Sequence, residues 1–167
     1  KEEYLTHINN MVETAGGVFP HLTIFADNNE NEPSIVHIPI PEEFMKDDET
    51  KENFIETILP KIAENVKEDF TPHAVAWSSE CWMRQADKDK PIENWKKLPK
   101  KEIIFISIET DNNTEVIMYD VVRAGIKVDK EGNMIEDVKL NLISEETTAE
   151  GFAGRFSGLF KKFKKND

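Results

Sequence analysis

One cysteine, Cys81, in 167 residues excludes an internal disulfide and any zinc cluster built from several cysteines. Glycine is scarce, at seven. The Gly16-Gly17 pair runs into a hydrophobic strand instead of the Lys-Ser/Thr and helix of a phosphate-cradling loop, and no Gly-x-Ser-x-Gly elbow occurs. No apolar run approaches the ~20 residues of a membrane-spanning helix, and the N-terminus lacks the layout of a signal peptide. The expected setting is therefore cytoplasmic or virion-associated, neither secreted nor transmembrane. Cations are also in deficit: 21 Lys plus Arg stand against 33 Asp plus Glu, a net charge of −12. That balance argues against a body that grips nucleic acid through a broad basic face.

What the chain does have is strong periodicity. Tyr4, Leu5, Ile8, Met11 and Val12 fall on one face of a helix over 2–15, which Gly16-Gly17 ends. Residues 21–27 and 34–40 read as a hairpin, with Pro39 and Pro41 confining the second strand to an edge or ending it. A long helix is expected over 48–69 from the stripe Phe54, Ile55, Ile58, Leu59, Ile62, Val66 and Phe70, kinked at Pro60 and closed by Pro72. From residue 73 the period changes to two. Strands follow over 73–84, 102–110, 115–123 and 135–143, with turns at 111–114 and 130–133. This order predicts an α+β fold: an antiparallel sheet of about five to six strands, a long helix packed on one face, and terminal helices. Residues 1–143 form the single domain of this reading, and 144–167 a linker and a basic amphipathic helix. The expected core includes Phe54, Ile58, Ile62, Ile104, Ile106 and Leu140. The polar excursion 85–100 is expected to be held down by Trp95.

Four histidines (His7, His21, His37 and His73) lack helical ligand spacing and read as scattered hydrogen-bonding groups, so no metal or cofactor is expected. Cys81 falls on the apolar side of its strand, as inert core filler. On the opposite side Ser78, Glu80, Trp82 and Arg84 follow at two-residue steps. If the next strand turns Ser107 and Glu109 the same way, a cluster of Glu80, Trp82, Arg84 and Glu109 forms on one sheet face, with Asp120 or Arg123 able to join. Paired carboxylates beside an arginine suit acid/base work or a cation. A solvated face laced with ion pairs is the simpler expectation, and no catalytic residue is assigned.

The run Ala76-Trp77-Ser78-Ser79-Glu80-Cys81-Trp82-Met83, with its polar loop and Lys101–Ile106 beyond, resembles small proteins of phage and other microbial genomes. In them a Ser-Glu-x-Trp-Met strand precedes a polar loop and a second strand. The resemblance covers about residues 73–123 and implies a phage or microbial setting, with no residue roles.

Charge is unevenly spread. Residues 151–167 hold five cations and one acid, a net of +4 that leaves −16 for the remainder. Phe152, Phe156, Leu159, Phe160 and Phe163 form one helical stripe, while Arg155, Lys161, Lys162, Lys164 and Lys165 occupy much of the rest. Gly151, Gly154 and Gly158 weaken the helix, so its order must come from a surface. That surface is the acidic body, a membrane, or a groove on a partner. The reading that follows is a non-enzymatic binding or structural accessory protein, phage-encoded, docking to a protein partner or homo-oligomeric assembly through this segment. Its partner-binding residues are Phe152, Arg155, Phe156, Leu159, Phe160, Lys161, Lys162, Phe163 and Lys164. The rivals are a small enzyme using the Glu80/Glu109 face and an acidic inhibitor imitating nucleic-acid phosphates.

Overall fold

A computed structural model describes residues 1–28, 30, 32–62, 65, 70–85, 95–110 and 112–147. The Phe/Lys segment 151–167 and its nine partner-binding residues lie outside the described residues, as do most of the 85–100 excursion and the end of the 48–69 helix. The elements are helix α1 (Glu2–Ala15), strands β1 (His21–Asn28) and β2 (Pro33–Pro39), a 3₁₀ turn (Glu42–Met45), helix α2 (Asp48–Asn53), a π-helical turn (Phe54–Ile58), strand β3 (Phe70–Arg84), a 3₁₀ turn (Trp95–Lys97), and strands β4 (Lys100–Glu109), β5 (Thr114–Val128) and β6 (Met134–Thr147). The six strands form one antiparallel sheet in the order β2-β1-β3-β4-β5-β6, so the α+β class holds.

The chain divides into two units. One comprises Lys1–Val18, Ser79–Phe105 and Ile117–Ser144. Its buried apolar residues are Tyr4, Ile8 and Val12 of α1, then Val18, Ile103, Ile104, Ile117, Val121 and Val138. Helix α1 ends as its sequence requires: Gly16 takes a left-handed φ of 73° and donates its N–H to the Val12 carbonyl at 3.0 Å. The other unit holds Phe19–Ser78, Ile106–Val116 and the described residues from Glu145 on. Leu22, Ile24, Phe54, Ile55, Leu59, Val75, Ala76, Trp77, Ile106 and Ile108 are buried there.

Three expectations are revised. Burial along 54–62 is uneven on the expected face, since Phe54, Ile55 and Leu59 are buried while Ile58 and Ile62, expected in the core, are half-buried. Pro60 has no N–H and its ring crowds the carbonyl four residues back, and the turn before it widens so that Leu59 N–H bonds the Phe54 carbonyl. The helix therefore carries a wide turn just before Pro60. Pro72, expected to precede the strand, lies inside β3: Ala26 pairs with Pro72 and Phe25 with Ala74, leaving His73 as a bulge. A bulge is where a strand tolerates a residue that cannot donate. Leu140, expected in the core, is half-buried on β6. As Pro39 and Pro41 predict, β2 ends at Pro39 and lies at the edge of the sheet; Pro33 opens it.

Candidate functional site

The residues expected to share one sheet face have separate tasks. Glu80, in the first unit, accepts the Val18 backbone N–H on Oε1 at 2.7 Å. A Cβ on Gly17 would run into the same carboxylate. The two glycines after α1 thus meet two needs, a left-handed backbone at Gly16 and clearance for Glu80 at Gly17. Glu80 anchors the chain leaving the helix. A few residues on, the Arg84 guanidinium donates to the Lys96 carbonyl at 2.6 Å and to the Leu98 carbonyl, tying the returning chain to β3. Trp82 is 63% exposed. With Arg84, Lys96 and Lys100 it lines an open groove of about 570 Å³.

Glu109 lies in the second unit, only 2% exposed, with the Ser107 hydroxyl donating to its Oε1 at 3.4 Å. Both side chains are expected on a solvated face. They are buried because β4 is an interior strand, and its residues 106–109 are covered on both sides. Cys81 departs in the opposite sense: it is exposed, and partial burial of the thiol still pushes its pKa up, away from the reactive thiolate.

Carboxylates do gather around an arginine, but the arginine is Arg123. Its Nε donates to Glu102 Oε2 at 2.9 Å and its Nη2 to Glu102 Oε1 at 2.5 Å. Nη1 reaches Glu136 at 2.5 Å and the Gly16 carbonyl at 3.0 Å. The Glu102 bonds, then those to Glu136, hold Arg123 protonated well above its ordinary range. This clamp ties the C-terminal end of α1 to β4, β5 and β6. Alternation offers Arg123 as able to join the Glu80 cluster, but not its partners Glu102 and Glu136 or the Gly16 carbonyl 107 residues away.

Two histidines also come together. His21 on β1 and His37 on β2 stand edge to face, ring centroids 6.0 Å apart. His21 Nδ1 is 2.9 Å from the Phe19 carbonyl oxygen, which can only accept, so Nδ1 carries the proton. Ser78 Oγ lies 2.9 Å from that nitrogen, and Thr23 Oγ1 lies 2.9 Å from His37 Nδ1. Ser78 is wholly buried, so the Ser78–His21 contact offers no nucleophile to a substrate.

The surface feature that sequence reading passes over is the outer hairpin. The Asp129 N–H bonds the Asn133 carbonyl at 2.9 Å, across a turn with Gly132 at a φ of 89°. Asp129 Oδ1 accepts the N–H groups of Glu131 and Asn133, and the Asn133 side-chain amide donates to Oδ2 at 3.0 Å; that amide first, then the Asn133 N–H, holds the carboxyl below the ordinary range. On the flanking strands Ile126 is 69% exposed, Val128 67%, Met134 74% and Leu142 55%. The available signal is that β5 continues its apolar pattern past residue 123, through Gly125 at a φ of 121°.

Compared with models of known protein families, with curated proteins and with solved structures, the chain matches none.

Proposed function

We propose that the chain is a non-enzymatic binding or structural accessory protein, phage-encoded, that docks to a larger assembly. The observation that carries this reading is the β5–β6 hairpin, where Ile126, Val128 and Met134 hold large apolar side chains in solvent around one turn. Exposed apolar surface of this kind is characteristic of interaction sites. The candidate carboxylates support the same reading, since Glu80 is spent on the Val18 N–H and Glu109 is buried. Residues 151–167 supply the second docking element, a basic Phe-bearing helix. The working location is the cytoplasm or the virion. Among the described residues no helix is long and apolar enough to cross a membrane.

The test is Phe156→Ala with Phe160→Ala in the full chain. Five apolar side chains entering a groove bury ~500 Å², about 10 kcal/mol gross, most of which the ordering of the segment consumes. The double variant should lose co-sedimentation with the native assembly at least ~10-fold while its melting temperature stays within about 2 °C of the parent. A drop of several degrees would show that the segment packs on its own body. Retention on anionic vesicles alone would replace the docking reading with a membrane one.

A further inference from the structure

The two edges of the sheet are treated differently. At one edge β2 has seven residues and is bounded by Pro33 and Pro39, which blunt it. At the other, β6 runs for fourteen residues without a proline, and among the described residues it pairs with β5 alone. Its unpaired backbone is a template for another strand. Charges usually protect such an edge by opposing their like, and β6 carries Glu136, Asp137, Lys139, Glu145 and Glu146. Whether they protect it depends on the register.

We propose that β6 is a homodimer interface, pairing antiparallel with β6 of a second copy about a two-fold axis at Val138. The inference rests on the assembly reading above and names one partner. A two-fold axis normal to a sheet keeps each face, so opposed residues share parity and the axis must fall on a residue. Centred on Val138, the register sets Asp137 opposite Lys139 of the second copy, and Lys139 opposite its Asp137. Met134 and Leu142, 74% and 55% exposed in the single chain, face each other twice. No like charges are opposed over 134–142. Moving the axis one residue either way sets Asp137 against its own copy or Lys139 against its own copy, each a direct repulsion. Within the chain Lys127 Nζ already lies 3.3 Å from Asp137, so dimerisation extends a row of alternating charge, from Lys127 to Asp137 to Lys139 of the second copy. A register centred on Leu142 would set Lys139 against Glu145 instead, so the Val138 register is distinguished by pairing Asp137 with Lys139 and covering Met134.

The experiment is sedimentation equilibrium of the full chain with a charge swap. The parent should dimerise. Lys139→Asp and Asp137→Lys should each weaken the dimer by about tenfold or more, and the double swap D137K/K139D should restore it to within about threefold. The lost Lys127 contact is absent from monomer and dimer alike, so it cancels from that comparison. Melting temperatures near the parent's confirm that the variants fold, and amide exchange over 134–142 should slow as parent concentration rises. A monomer at every concentration, a dimer indifferent to K139D, or a swap without rescue each overturns the proposal. A monomer that still co-sediments with the native assembly through Phe156 and Phe160 overturns only the pairing and leaves the assembly reading intact.

Discussion

Replacing Arg123 by Ala removes four hydrogen bonds at once, and their environment sets the cost. The Arg123 side chain is 33% exposed and that of Glu102 16%, which places the pair between two regimes. An exposed ion pair is worth about 0–1 kcal/mol. Breaking a fully buried one costs about 3–5 kcal/mol, because the remaining charge is stranded. Glu102 would be left mostly out of water, and the Gly16 carbonyl at the C-terminal end of α1 would lose a cationic donor worth about 1 kcal/mol. The expected loss is about 2–3 kcal/mol, or roughly 5–10 °C in a chain of this length. Arg123→Lys keeps the charge, but one ammonium cannot span both Glu102 oxygens and the Gly16 carbonyl, so it should recover about half. Adding Glu102→Gln to Arg123→Ala should return about 1 kcal/mol by removing the stranded charge. Urea and thermal melts of the four proteins measure all of this. If Arg123→Ala lies within about 0.5 kcal/mol of the parent, or Arg123→Lys is fully neutral, the clamp is a surface ornament and the argument is wrong.

Gly17→Ala should cost about 1–2 kcal/mol, because the new methyl displaces the Glu80 carboxylate from the Val18 N–H. In a Glu80→Ala background the same change should cost almost nothing, and additive losses in that double-mutant cycle would refute the contact. Asp129 titrates below the ordinary carboxylate range through its bonds with Asn133, so its contribution is full above the unfolded value and fades as pH falls through the folded one. Asp129→Ala should therefore melt lower than the parent near neutral pH, with the gap closing in acid. A gap independent of pH would mean that the carboxylate is not what holds the turn.

Much of the architecture was legible in the residues because it is set by neighbours along the chain. Alternation placed the six strands to within a few residues, except that β5 continues past 123 to Val128. Gly16 announced the end of α1, and Pro39 and Pro41 announced the end of an edge strand. The π turn at 54–58 lies beside Pro60, although the stripe alone does not reveal it. Side-chain partnership was not legible. The sequence presents Glu80 and Glu109 as equivalent polar positions on alternating strands. The position of β4 inside the sheet buries Glu109, whereas Glu80 meets a backbone N–H 62 residues away. Likewise several acids were equivalent partners for Arg123 in the sequence, and strand order chose Glu102 and Glu136. Periodicity reports which side of an element a residue faces. What lies on that side is decided by elements distant in the chain, and only the tertiary structure brings them there.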